Sequence, residues 1–258
     1  MSPQAIRRII LEQSRRANVG HIGSALCIAD LIAVLYGEIL RVERPDDPGR
    51  DRFVLSKGHA ALALYAAIRL KGWIGDADLN TFCGDASCLG VHPELGVPGV
   101  DFATGSLGQG LSMAAGSALA AKLHGSDRRV FCLVSDAECN EGAIWEAAGF
   151  AAHHRLGNLT AILDNDGQQA FGFTRDVLNL APLSEKWRAF GWSVREIDGH
   201  DAGAITEALR SRDPEKPTLV LANTVFGKGV SFMERQIKWH YWPMSEEDYA
   251  KAMKEVGS

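Results

Sequence analysis

The 258-residue sequence has no CxxC pair, no GK[ST] phosphate loop, and no HxH or HxxxH pairing of histidines. It also has no run approaching the roughly 20 apolar residues that cross a bilayer. These absences exclude a thiol-based zinc site, a Walker-type nucleotide site and a transmembrane anchor. Positive charge is not concentrated in any block, and the net charge is −5, so neither nucleic acid nor an anionic membrane is an expected partner. Cysteine is sparse: five residues, at 27, 83, 88, 132 and 139, without metal-ligand spacing. An odd number of such cysteines, some inside apolar runs, points to reduced thiols and a cytoplasmic protein. The opening stretch "MSPQAIRRIILEQSRR" mixes arginine with apolar residues, has no small-residue cleavage site, and reads as an amphipathic helix rather than a signal peptide.

What is present is an ordinary globular composition, 46% hydrophobic and 23% charged, with no internal repeat. The first hundred residues look mostly helical: "PQAIRRIILEQSRRANV", "IADLIAVLYGEILRV" and "HAALALYAAIRLKGW" space their apolar residues three and four apart. Further on, buried-strand patterns alternate with helical ones. "RVFCLVS", "LTAILD", "WSVREID" and "TLVLANT" are separated by "EGAIWEAAGFAAHHRL", "LSEKWRAF" and "AGAITEALRS". This alternation predicts an α/β fold: a mostly parallel sheet with helices on both faces, a helical N-terminal part, and one domain over residues 1–258. In such folds ligands gather at the carboxyl ends of strands.

Two of those ends carry carboxylates. "FCLVSD" delivers Asp136, and "LTAILDNDG" delivers Asp164 and Asp166. Side by side they could supply oxygen ligands to a small hard cation such as Mg²⁺, completed by a diphosphate. The equally weighted alternative is helix capping and turn formation. "ATGSLGQGLSMAAG" sets Gly105, Gly108 and Gly110 before a small-residue helix, which suits either an anion or a tight turn. Four histidines sit in loops beside glycine, proline or aromatic residues: His21, His59, His92 and His240. They fit proton transfer around a polar substrate better than metal ligation. His124, His153, His154 and His200 read as surface or capping residues, "DGHD" as a turn in which Asp201 caps the next helix, and Lys228 as a mobile loop lysine.

Taken in order, "GHIGSALCIADLIAVLY", "RFVLSKGHAALALYAAIRLKGW", "HPE", "TGSLGQGLSMAAGSALA", "EGAIWEAAGFAAHHRLGNLTAILDNDG", "IDGHD" and "KGVSFMERQIKWH" resemble the N-terminal, diphosphate-binding part of transketolase over nearly the whole chain. The resemblance implies the thiamine diphosphate-binding fold, with thiamine diphosphate and Mg²⁺ as cofactors. It further implies transfer of a two-carbon ketol unit from a ketose donor to an aldehyde acceptor. The chain stops after the first transketolase domain, so it resembles the small subunit of a split transketolase. Its partner would be a C-terminal subunit carrying the pyrimidine-binding and C-terminal domains, in a dimer of heterodimers. The glutamate that activates the aminopyrimidine belongs to that other chain, so this one is expected to be inactive alone. By the resemblance, Asp136, Asp166 and the Gln168 carbonyl would hold the metal. His59, Gly105, Leu107, Ser135, Asp136, Ala137 and Asp166 would meet the cofactor. His21, His92 and His240 would face the substrate, and Glu141 the subunit contact.

Three departures from the family pattern stand out. Ser135 and Ala137 replace both glycines of the Gly-Asp-Gly turn, and a Cβ at a position needing positive φ would cost on the order of 1 kcal/mol. Asp166 replaces an asparagine, adding negative charge beside an anionic diphosphate. Tyr241 follows His240 where a small residue is common, narrowing the substrate channel. The aromatic stretch "KWHYWP" is expected to order against the partner or the closed site. Two further readings stay open: a cofactor-less scaffold or regulatory subunit, and another thiamine diphosphate enzyme such as a decarboxylating ketol synthase.

Overall fold

The computed structural model describes residues 1–257. Five strands form a parallel sheet: β1 (Arg52–Leu55), β2 (Val130–Ser135), β3 (Leu159–Asn165), β6 (Ser193–Asp198) and β7 (Thr218–Asn223), in the order β1-β2-β3-β7-β6. A two-residue-per-strand hairpin, β4 (Gln168–Gln169) and β5 (Gly172–Phe173), folds out of the loop after β3. β1 is absent from the sequence reading, because four residues bounded by charged Arg50 and Asp51 are too short to show a period.

The period of two along each strand sorts its side chains into two cores. Phe53, Leu55, Phe131, Leu133, Ile162, Val220 and Ala222 face one way. They pack under α1 (Pro3–Ala17), α2 (Ile22–Cys27), α3 (Ala29–Val34), α4 (Ala61–Leu70) and α10 (Ala202–Arg210), with α12 (Glu246–Val256) closing over α1. Val54, Cys132, Val134, Ala161, Leu163, Leu219 and Leu221 face the other way, against α6 (Gln109–Leu123), α7 (Gly142–His153) and α9 (Leu183–Ala189). The four-residue helices α5 (Asp76–Leu79), α8 (Thr174–Val177) and α11 (Lys238–Tyr241) belong to the connections. Both faces of β2 and β3 are therefore dry, which is why their sequences read as unbroken apolar runs.

Helix α6 lies unusually close to the sheet. A Cβ at Gly110 would come within 2.4 Å of Ser56 Oγ, so the glycine allows the helix to approach the end of β1. His200 is not the surface residue its sequence setting suggested. Its Nε2 accepts the Val225 N–H (2.9 Å), which leaves Nδ1 to donate to Asp30 (2.7 Å). Arg7 also binds Asp30, and the three side chains tie α1, α3 and the strand ends together. Asp201 caps α10 through the Gly203 and Ala204 N–H groups, as expected. Among the described residues no helix is long and apolar enough to cross a membrane.

Candidate active site

Because the sheet is parallel, the carboxyl ends of four neighbouring strands open on the same side. β1 runs into Lys57 and His59, β2 into Asp136, β3 into Asp164 and Asp166, and β7 into Thr224. The loop 103–108 and the N-terminal residues 20–24 close around them. A cavity of about 220 Å³ results, lined by Ser24, Lys57, His59, Leu107, Ser135, Ala137, Glu141, Asp166, Gln168 and His240 among others.

Asp136 sits at the floor of the turn after β2 and is 4% exposed. Its Oδ1 accepts the Ala137 N–H (2.8 Å), and its Oδ2 accepts the Gly167 N–H and the Thr174 hydroxyl (both 3.1 Å). It thus caps the 3-10 turn Ala137–Asn140 and also reaches the loop after β3. Burial and the charge of nearby Asp164 push its carboxyl up to about 6. Asp166 is buried too, with Oδ1 accepting the Gln168 N–H (2.8 Å). Burial, then Asp164 and Asp136, raise its pKa well above the usual carboxylate range. Neither Ser135 nor Ala137 has positive φ, so the missing glycines cost no backbone strain here. Ser135 Oγ instead accepts the Glu138 N–H (3.1 Å), bracing the turn.

The loop histidines converge. The rings of His21, His59 and His240 lie 5.1–5.4 Å apart, centroid to centroid. The His21 N–H donates to the His240 carbonyl (3.1 Å), which joins the two loops. His21 has φ 60° and a buried Nδ1 without a partner. His92 stands against Gly105: at φ +150°, a Cβ on that glycine would lie 3.0 Å from the imidazole. The Tyr65 hydroxyl fixes the His92 carbonyl (2.9 Å). Glu141 is exposed at the start of α7. Tyr241 donates its hydroxyl to the Ala170 carbonyl (2.9 Å), strapping the segment after His240 to the β4–β5 hairpin.

Burial lowers the pKa of all three clustered histidines, helped by His92 at His21, by Lys57 at His59 and by His21 at His240, which falls to about 4. They are neutral imidazoles near neutral pH, able both to donate and to accept a proton. The folded His240 titrates near 4 and an unfolded histidine near 6.5, so between those values the unfolded chain binds more protons and stability falls on acidification. Circular dichroism melts at about pH 7.5 and about pH 5.5 are expected to show a drop that is smaller in His240→Gln by roughly 1 kcal/mol. An equal drop in both proteins would show that His240 is protonated in the folded state.

Three contacts within the site escaped the sequence reading. Lys57 is buried and in an ion pair with Asp164 (2.5 Å). Glu138 is fully buried, and its Oε1 accepts from the Ser56 hydroxyl (2.5 Å) and the Gly108 N–H (2.7 Å). Cys27 brings its sulfur to within 3.1 Å of Asp164. None follows from spacing, since each partner is 30 or more residues away. Lys228, read as free to move, lies 3.8 Å from Glu234.

Carboxylate oxygen at the strand ends is the donor type of a hard dication. Asp164 and Asp166, with Cys27, form the one group among the described residues whose possible ligand atoms all lie within 4.8 Å of one another. Asp136 is buried at the neighbouring strand end, outside that group, Lys57 is a buried cation paired with Asp164, and buried Gln168 keeps an unpartnered Oε1 at the cavity. Over residues 2–258 the chain matches the family described as the thiamine diphosphate-binding domain of transketolase. It is 41% identical to a 6-deoxy-6-sulfo-D-fructose transketolase subunit of Clostridium sp. (strain MSTE9), covering 97% of this chain and 93% of that one. It is 40% identical to an apulose-4-phosphate transketolase subunit of Phocaeicola vulgatus, covering 97% and 90%. The fold superimposes on the crystal structure of Campylobacter jejuni transketolase with a TM-score of 0.92 and 33% identity, covering 99% of this chain and 42% of the longer one.

Proposed function

This chain belongs to the transketolase family, as its thiamine diphosphate-binding domain, and from that premise we propose that it is the cofactor-binding subunit of a two-chain transketolase. In this reading residues 1–258 form one domain, and the complex moves a two-carbon ketol unit from a ketose to an aldehyde. The carrying observation is that parallel strand ends and the loops after them bring His59, His240 and buried Asp166 to one cavity, with buried Asp136 and Asp164 at the same ends of the sheet. When bound, thiamine diphosphate supplies an electron sink for carbon–carbon bond cleavage.

The chain's own residues then divide the work. Asp136, Asp166 and the Gln168 carbonyl hold Mg²⁺, while His59, Gly105, Leu107, Ser135 and Ala137 meet the diphosphate and thiazolium end. His21, His92 and His240 face the sugar. A neutral imidazole can accept a hydroxyl proton as a carbonyl forms and return one as a carbonyl becomes a hydroxyl, without a charged group beforehand. Glu141, exposed beside the cavity, meets the partner. The free cysteines fit a reducing compartment such as the cytoplasm.

A partner chain is supported by relatives of nearly the same length that are themselves named subunits; the chain spans about two fifths of the solved transketolase it matches. Exposed Phe171, which lines the cavity, and exposed Tyr241 and Trp242, which follow its lining residue His240 in the chain, offer the partner an apolar landing. The test is reconstitution with a C-terminal transketolase subunit, thiamine diphosphate and Mg²⁺, scoring two-carbon transfer over a panel of ketoses and aldehydes. The chain alone should be inactive and the mixture active. A mixture that assembles and binds cofactor yet transfers nothing from any donor would refute the transferase reading.

A further inference from the structure

Lys57 is the least exposed cationic side chain among the described residues, 1% accessible, and it lies just past the end of β1. Its Nζ is 2.5 Å from Asp164 Oδ2 and 3.4 Å from Cys27 Sγ. The Thr224 hydroxyl takes the other Asp164 oxygen, so Asp164 is fully engaged inside the protein. An ammonium has three N–H donors, two of which these partners occupy, and Lys57 also lines the cavity. Cys27 links the pair to Asp166, whose Oδ2 is 3.8 Å from its sulfur.

Charge decides what this lysine does. Four buried carboxylates, Asp136, Glu138, Asp164 and Asp166, stand against one buried ammonium, leaving −3 in their ionised forms, which a divalent cation brings to −1. Without Lys57 the cluster would carry −4, and a diphosphate would approach a more anionic wall even with the metal in place. We propose that Lys57 is a positioning residue that supplies the internal counter-charge for Asp164 and Asp166, and so keeps the cavity receptive to a diphosphate despite the aspartate at 166. The inference rests on the thiamine diphosphate reading and goes beyond it by assigning the anion tolerance of the site to one buried side chain.

The charge account and a purely structural role part company in sign. Calorimetry on the full chain would measure Mn²⁺ alone, and inorganic diphosphate at saturating Mg²⁺. Lys57→Met should weaken diphosphate binding by roughly tenfold while Mn²⁺ binds as tightly as before or more tightly. Adding Asp166→Asn should restore most of the diphosphate affinity. Asp166→Asn alone, which needs no loss of the buried pair and covers the case in which Lys57→Met does not fold, should bind diphosphate severalfold tighter than the parent and Mn²⁺ more weakly. Weakening of both ligands by Lys57→Met without recovery, or no gain in diphosphate affinity from Asp166→Asn, would make Lys57 a core prop and overturn the inference. If the parent chain binds no magnesium diphosphate at all, the cofactor reading falls and this inference with it. If the parent binds and the variants match it, only this inference falls.

Discussion

Alanine in place of Asp136 is expected to weaken Mg²⁺-dependent thiamine diphosphate binding by at least about a hundredfold, roughly 3 kcal/mol. The side chain reaches both the turn after β2 and the loop after β3, through Ala137, Gly167 and Thr174. Removing it takes away a proposed metal ligand and loosens the loop that carries the next one. Stability should move the other way in the metal-free chain. Burial and Asp164 raise the folded pKa of Asp136 to about 6, above the 3.8 of an unperturbed aspartate. Between those values the folded state takes up the extra proton, so its ionisation costs stability as pH rises through about 6. Asp136→Asn should therefore melt higher than the parent at about pH 7.5 without metal, by on the order of 1 kcal/mol or more, while failing to bind cofactor. Calorimetric titration and thermal melts on the same samples check both. A variant that binds cofactor like the parent would remove Asp136 from the metal site.

The second large effect is expected at Glu138. Its carboxylate has no solvent exposure and gathers three elements: the Ser56 hydroxyl past β1, the Gly108 N–H before α6, and the Ser135 N–H at the end of β2 (3.3 Å). Burial raises its pKa, with those three donors pulling back. Glu138→Ala would strand buried donors at roughly 1–3 kcal/mol each, so a loss of about 3 kcal/mol in urea unfolding is expected. The loop 103–108 and the turn bearing Asp136 would lose their common anchor, and cofactor affinity should fall with stability. Glu138→Gln keeps one acceptor oxygen in the same place and should cost less than half as much. Equal losses for the two variants would mean that the carboxylate's charge, rather than its acceptor geometry, is what the three elements require.

The sequence by itself determined the layered architecture. Short, unbroken apolar runs at β2, β3 and β7 have the length and pattern of strands buried on both faces, and the helical periods between them supply the cover. It also marked the carboxylates at strand ends and the loop histidines, because chemistry-bearing residues beside glycine and proline stand out locally. Tertiary structure alone decided which of these act together. Lys57 pairs with Asp164 across 107 residues, Glu138 reaches Ser56 across 82, and His200 reaches Asp30 across 170. No local period encodes such pairings, since they exist only once parallel strands bring distant loops to one edge of the sheet. The turn at Ser135 and Ala137 makes the same point. Sequence could price the missing glycines only by assuming positive φ, whereas the folded turn holds ordinary dihedrals because Asp136 and Ser135 cap it from within. Dihedrals, burial and charge balance belong to the assembled fold, and those three quantities separate a carboxylate that merely caps a turn from one that can also hold a metal.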